Sequence, residues 1–142
     1  MNSVAYATEK KFLPKATKLA LYYDFQVFKD VYKMTMRIFA LISNFSREYK
    51  FTLGQDLKRD CILLVRSIYR ANKCKDKDLY LEQFLDSFEV VKLEIRLCKE
   101  LKLISVKQQA ELVLLTEKIG KQITGWRNAQ DKIVNNRVMP NK

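Results

Sequence analysis

The stretch from Thr52 to Lys77 carries the pattern that most limits how this chain can fold. Its apolar residues recur with the period of an α-helix, about 3.6 residues, so one side of that helix carries Leu57, Cys61, Leu64, Ile68 and Ala71. Cations occupy the other side, at Arg59, Arg66, Arg70, Lys73 and Lys77. The stretch therefore predicts a helix that buries one face in a core and meets a polyanion with the other. An ordinary solvated face is the alternative.

Glycine and proline are scarce, with three and two in 142 residues. Strand-rich folds need many turn residues, so this scarcity favours a single domain of helices with short connections. The predicted helices span residues 24–45, 52–74, 77–103 and 106–130. Because short connections make neighbours antiparallel, we expect an all-α, up-down four-helix bundle over residues 23–130. Residues 1–22 are predicted to be an N-terminal arm or short helix, with an extension of the next helix as the alternative, and residues 131–142 a C-terminal tail.

Helix starts are predicted from polar residues that can bond free backbone N–H groups. Asp24 is an expected N-cap, and the third long helix is expected to start near Asp76 or Asp78. Two capping boxes, in which a hydroxyl and a glutamine side chain each bond the other residue's backbone N–H, are Thr52 with Gln55 and Ser105 with Gln108.

Two predicted helices carry more apolar surface than a four-helix core needs, since one stripe per helix is enough. The first has a core stripe of Val27, Val31, Met34, Ile38, Leu41 and Phe45, and a second stripe of Phe25, Phe28, Tyr32, Met36 and Phe39. The third has a core stripe of Tyr80, Phe84, Phe88, Val91, Ile95 and Cys98, and a second stripe on the opposite side, made of Val90, Leu93, Leu97 and Leu101. The surplus predicts self-association, because a monomer would expose it. The expected interface consists of Val90, Leu93, Leu97, Leu101, Ile62 and Tyr69. Covering of this surface by the N-terminal arm is the alternative.

The last predicted helix has one narrow stripe, made of Leu112, Leu115, Ile119, Ile123 and Trp126. We expect Trp126 to pack at the end of the core. Gly120 and Gly125 cost helix stability, so they are predicted to allow a neighbouring backbone to approach closely.

The formal net charge is +11 and the isoelectric point is near 9.6. Such an excess indicates binding to nucleic acid or another polyanion, or to an anionic membrane surface. Rows of cations on the second and third predicted helices favour nucleic acid, bound through phosphate contacts. The candidate nucleic-acid-binding residues are Arg59, Arg66, Arg70, Lys73, Lys75, Lys77, Lys92, Arg96 and Lys99. Tyr69 is the only aromatic beside the helix-two row, which gives little support to base stacking.

Residues suited to catalysis are few. Histidine is absent, and glycine-rich phosphate loops are absent. Cys61, Cys74 and Cys98 lack metal-ligand spacing and are expected to be free thiols of a reducing cytosol. The carboxylates are expected to form surface ion pairs, leaving the inward helix faces apolar. We therefore predict no catalytic residue, no metal site and no cofactor.

The sequence shows no recognisable membrane-spanning helix or signal peptide. No apolar run approaches the ~20 residues of a membrane-spanning helix. The start MNSVAYATEKKFLPK lacks a signal peptide's apolar region. A cytoplasmic protein with no membrane partner is the expectation.

Several segments resemble one family of bacterial four-helix bundles. They are YYDFQVFKDVYKM, SREYKFTLGQDLKRD, EVVKLEIRLCKELKLIS and GKQITGW, within residues 22–127. That family includes the accessory variability determinant (Avd) of diversity-generating retroelements, and a sister group is encoded by ribosomal RNA intervening sequences. The KFTLGQ turn, the RLCKEL segment and the Gly125–Trp126 pair are similar to the accessory branch.

The resemblance implies a homopentameric barrel of four-helix bundles with strongly basic surfaces and no catalytic activity. It also implies binding to template RNA or cDNA and to a reverse transcriptase, in support of mutagenic retrohoming. The alternative is a structural or ribosomal-RNA-associated oligomer without a reverse transcriptase partner.

Overall fold

The computed structural model describes the backbone of residues 15–138 and the side chains of residues 26–136. Helices account for this part of the chain, and it contains no strand. The elements are α1 (Lys15–Ile42), the single turn α2 (Arg47–Lys50), α3 (Leu53–Lys73), α4 (Lys77–Glu100) and α5 (Val106–Val138). The predicted all-α architecture is confirmed.

The four long helices form a ring in which each packs against two others. α1 lies between α3 and α5, and α4 completes the ring on the opposite side of the core, against the same two helices. Ion pairs show that α1 and α5 run in opposite directions, because the earlier residue Asp30 meets Lys118 and the later residue Arg37 meets Glu111. This arrangement is that of an up-down bundle.

The helix ends differ from the predicted ones. α1 begins at Lys15, so Asp24 lies inside the helix and is not an N-cap. α5 continues to Val138, through part of the predicted tail. Neither added segment contains glycine or proline, so nothing in it interrupts a helix. Residues 1–14 of the predicted arm and residues 139–142 of the predicted tail lie outside the described residues.

α4 ends at Glu100, three residues before the predicted end at residue 103. Lys102 adopts the left-handed conformation, with φ of 61°. The N–H of Leu103 then donates to the carbonyl of Cys98 at 2.8 Å, and the N–H of Lys102 donates to that of Lys99 at 3.0 Å. These two bonds form a Schellman motif, which closes the helix without glycine.

One of the two predicted capping boxes forms. The N–H of Gln108 donates to Ser105 Oγ at 3.0 Å, and the N–H of Ser105 donates to Gln108 Oε1 at 2.9 Å. Asp76 also caps α4, accepting from the N–H of Leu79. The prediction of a capping box at Thr52 was wrong, because Thr52 Oγ1 donates to the carbonyl of Glu48 at 2.7 Å and does not cap α3. The turn α2 directly precedes Thr52 and supplies that carbonyl.

The predicted core stripes are buried, with a few shifts. The buried apolar residues include the six of the first stripe and the five of the Thr52–Lys77 stretch. On α4, Leu81 is fully buried and Tyr80 only packs against the core. On α5, Leu115 is half-buried, and Trp126 closes one end of the core as predicted. One continuous apolar cluster therefore joins all four long helices.

The expectation that inward faces are wholly apolar was wrong, because Asp30 and Glu94 are buried. Asp30 accepts hydrogen bonds from Gln122 at 2.6 Å and Gln26 at 3.2 Å, and pairs with Lys118 at 3.4 Å. Burial alone would raise the pKa of Asp30, but these bonds and the lysine charge outweigh it and lower the pKa below its ordinary value. Asp30 therefore remains ionised and links α1 to α5.

The close backbone approach predicted at Gly120 does not occur there, whereas one occurs at Gly54, in the first turn of α3. A Cβ added at Gly54 would lie 2.8 Å from Cγ2 of Ile42 and 3.0 Å from the carbonyl oxygen of Tyr49. The same addition at Gly120 would only contact the ring of Phe88 at 3.8 Å. Glycine is thus required at residue 54 and dispensable at residue 120.

We expect Gly54→Ala to lower the free energy of unfolding by about 1–3 kcal/mol, since a methyl group there overlaps Ile42 of α1 and Tyr49 of α2. Gly120→Ala is the matched control. It should raise the free energy of unfolding by up to about 1 kcal/mol, because alanine is the better helix former. Urea unfolding followed by circular dichroism measures both. Equal effects of the two substitutions would contradict the close approach at Gly54.

Candidate nucleic-acid and assembly surfaces

The outward face of α3 carries most of the predicted cations. Arg59, Arg66 and Lys73 are seven residues apart, so they lie on one face two turns from each other. Arg70 lies one turn beyond Arg66, and all four side chains are exposed. We call Arg59, Arg66, Arg70 and Lys73 the α3 cation row. Opposite this row, Leu64 and Ile68 enter the core, as the sequence predicts.

Members of the α3 cation row differ in the side chains that contact their charged groups. Arg59 pairs with Asp56 at 3.4 Å and with Asp60 at 3.7 Å, which partly neutralises it. The pair of Asp56 with Arg59 is one of the surface ion pairs that the sequence predicts for the carboxylates. Lys73 Nζ lies 4.7 Å from the centroid of the Tyr69 ring, a cation–π contact. Arg66 and Arg70 form no ion pair among the described residues, so no acidic side chain compensates their charge.

Arg66 and Arg70 line one end of a shallow groove between α3 and α4. Its remaining lining residues are Leu63, Ser67, Gln83, Asp86 and Ser87. Two guanidinium groups beside hydroxyl and amide groups suit a phosphate oxygen, since arginine offers a planar set of N–H donors. Asp86 is the only acidic group that lines this groove.

Lys77 has a structural contact that the sequence analysis missed. Its Nζ donates to the carbonyl oxygens of Ala71 at 2.8 Å and Asn72 at 3.2 Å, at the C-terminal end of α3. It also lies 5.7 Å from the ring centroid of Trp126. The ammonium therefore donates to carbonyl groups that have no partner within the helix, and the negative end of the helix dipole stabilises its charge. Lys75, in the same turn, is exposed.

The predicted cations of α4 do not join the α3 cation row in one protomer. Lys92 pairs with Glu89 and lines a second groove, between α4 and α5, together with Lys121. Arg96 pairs with Glu100 at 3.2 Å. Lys99 lies beside the connection to α5. Lys92 therefore faces α5 and not α3.

The predicted interface residues fall on two separate surfaces. The first, which we call the α4 apolar row, consists of Val90, Leu93, Leu97 and Leu101, which are 48%, 57%, 40% and 43% exposed. α1 adjoins α3 and α5, so it does not cover this row. The alternative in which an N-terminal arm covers it concerns residues 1–14, outside the described part of the chain.

The second surface lies between α1 and α3. Lys58 Nζ is 5.3 Å from the centroid of the Phe39 ring, which places this side of α3 against α1. Ile62 and Tyr69 follow Lys58 at helical spacing, so they share that side. Together with two exposed side chains of α1, they form what we call the α1–α3 apolar face: Tyr32, Met36, Ile62 and Tyr69. The α3 cation row separates this face from the α4 apolar row.

The described residues offer little for covalent or metal chemistry. No group of three or more Cys, Asp or Glu residues among them could hold a metal ion. Burial and the charge of Glu94 raise the pKa of the Cys61 thiol to about 12 and that of Cys98 to about 11, so neither forms a nucleophilic thiolate near neutral pH. None of the described helices is long and apolar enough to cross a membrane.

Comparison with known proteins places this architecture in a family. No curated protein matches the chain. A family model described as bAvd-like matches residues 25–130, which include α3 and α4 entirely, most of α1 and α5, the α3 cation row and both apolar surfaces. The match covers most of the chain, and it confirms the resemblance noted in the sequence. The protein therefore belongs to the bAvd-like family.

Proposed function

We propose that this protein is a non-catalytic accessory protein of a diversity-generating retroelement. It binds nucleic acid through its basic faces and a reverse transcriptase, and so supports mutagenic retrohoming. Membership of the bAvd-like family supports the retroelement role. The observation that carries the binding mechanism is the α3 cation row, which lies exposed between two apolar surfaces.

Binding to nucleic acid is electrostatic in this proposal. Arg66, Arg70 and Lys73 contact phosphates, and each contact releases counterions. Such contacts give affinity without reading base sequence, so template RNA and cDNA are both ligands of the surface. Arg59 contributes less, because Asp56 and Asp60 already share its charge. The protein holds a nucleic acid near the polymerase, and the polymerase supplies the chemistry.

Assembly follows from the two exposed apolar surfaces. They differ in chemistry, since the α1–α3 apolar face is rich in aromatic residues and the α4 apolar row is aliphatic. Two different surfaces on one subunit favour a head-to-tail contact, which closes into a ring when the rotation allows. A homopentamer is the ring that the family resemblance implies. The cation rows of neighbouring subunits then act on one nucleic acid together.

The binding mechanism predicts the effect of charge reversal on α3. The triple variant Arg66→Glu, Arg70→Glu and Lys73→Glu should weaken binding of RNA or DNA on the order of hundredfold at physiological salt, because three phosphate contacts become repulsive. The slope of log K against log salt should also fall by about one for each lost contact. Fluorescence anisotropy with a labelled oligonucleotide measures both quantities.

The matched control reverses three exposed lysines of α5, Lys107, Lys121 and Lys132. It changes the net charge equally but leaves the α3 cation row intact, so it should weaken binding much less. Equal losses in the two variants would mean that only net charge matters. Unchanged binding in the α3 variant would refute the assigned surface.

The assembly predicts that Leu93→Glu with Leu97→Glu reduces the native mass of the protein toward that of a single subunit, because a charge in an apolar contact is costly. Leu114→Glu is the matched control, since Leu114 is 68% exposed on α5, outside both apolar surfaces, and should leave the mass unchanged. Native mass spectrometry measures the subunit number. A wild-type protein that is monomeric at micromolar concentration would overturn the assembly.

The role in a retroelement is tested by co-purification with the reverse transcriptase of a diversity-generating retroelement. We expect the two proteins to be retained together and the complex to copy a template repeat that the polymerase alone copies poorly. If the oligomer binds RNA but retains no reverse transcriptase, the structural or ribosomal-RNA-associated alternative is favoured.

A further inference from the structure

Glu94 is a buried carboxyl group in the contact between α3 and α4. Glu94 is 7% exposed, and both of its carboxyl oxygens are buried and accept no hydrogen bond from any donor group in the described part of the chain. It faces the carboxyl group of Asp60, whose side chain is 17% exposed. Ionised carboxylates only accept hydrogen bonds, so the two groups can bond each other only when one carries a proton.

The charges around this pair do not compensate it. Among the charged groups that act on Glu94, Asp60 and Asp56 are negative and Arg59 is positive. Arg59 already pairs with both aspartates, and its side chain is 67% exposed. The nearest cation is therefore divided between other groups, and Glu94 itself has no ion pair among the described residues.

The remaining groups packed near Glu94 are neutral or are paired elsewhere. Cys61 of α3 and Cys98 of α4 are buried free thiols, and Thr35 is the neighbour of Cys61 on α1. Three charged side chains of α5 have other partners: Arg127 pairs with Glu82, while Lys118 and Glu111 pair with Asp30 and Arg37 of α1.

We propose that a proton shared between Glu94 and Asp60 holds the α3–α4 contact closed and makes it sensitive to pH. The pair lies between the surfaces on which binding and assembly depend. Leu93 and Leu97 flank Glu94 on the exposed α4 apolar row, and Arg59 of the α3 cation row adjoins Asp60. Loss of the proton places a second negative charge in the contact, which pushes the helices apart and disturbs both surfaces. The folding readout below does not depend on the proposed function.

The direction of the pH effect follows from the carboxyl groups. Burial raises the pKa of Glu94 to about 8, and the hydrogen bond and charge of Asp60 act in the same direction. The unfolded chain loses this proton near the ordinary glutamate value of 4.5. Stability from the pair is therefore full below that value and is lost as the pH rises toward about 8. Within this window the folding equilibrium constant falls about tenfold per pH unit from this group.

The test measures the Glu94 proton and its effect on folding in the full-length protein. Carboxyl carbon NMR should assign to Glu94, by its absence in Glu94→Gln, a titration midpoint several pH units above that of exposed glutamates. Urea unfolding between pH 5 and 8.5, at fixed protein concentration, should show a fall in stability that Glu94→Gln largely removes. The amide keeps a hydrogen bond to Asp60 but carries no titrating proton.

Glu89→Gln is the matched control, because Glu89 is an exposed glutamate on the same helix, and this variant should keep the wild-type pH dependence. Asp60→Asn supplies a second measurement if Glu94→Gln does not fold. It removes the neighbouring negative charge and should lower the titration midpoint of Glu94. A Glu94 midpoint at the ordinary value, or an unchanged pH dependence in Glu94→Gln, overturns the proposal.

Discussion

Burial of one apolar stripe from each long helix in a common core is the constraint on which the other features of this protein depend. The stripes of α1, α3, α4 and α5 meet in a single cluster that runs from Phe45 at one end to Trp126 at the other. Once those stripes are fixed inside, helical geometry decides what is presented outside. On α3 the outward residues are cations, and on α4 they are aliphatic. The surface chemistry is thus set by the same periodicity that sets the core.

Features with a helical period were predictable from the sequence for this reason. The residues that continue each stripe are buried almost without exception, and the residues opposite them are exposed. Local polar motifs were less reliable, because they depend on what precedes them. Ser105 follows the end of a helix and caps the next one, whereas Thr52 follows the turn α2 and bonds to Glu48 instead. The two serine and threonine motifs look alike in the sequence, and only the preceding backbone separates them.

Contacts between helices account for the features that the sequence did not predict. Asp30 and Glu94 fall beside core stripes, where a polar residue is normally exposed. Their partners, Gln122 for Asp30 and Asp60 for Glu94, are far away in the chain and become neighbours only when the helices pair. The same holds for the cations of α4: the sequence shows that Lys92 lies on a polar side of the helix, but not that this side faces α5.

The cations are divided between the α3 cation row and the groove between α4 and α5. This division affects how a small bundle can bind a long polyanion. One protomer presents only a few uncompensated charges on α3, since Arg59 is shared with aspartates and Lys77 caps a helix. A few phosphate contacts give weak binding at physiological salt. Repetition of the same row in neighbouring subunits multiplies those contacts without adding any to the subunit itself. A basic row placed between two exposed apolar surfaces therefore suits the proposed assembly better than a monomer: in that assembly, the contacts that join the subunits also bring their basic rows to one ligand.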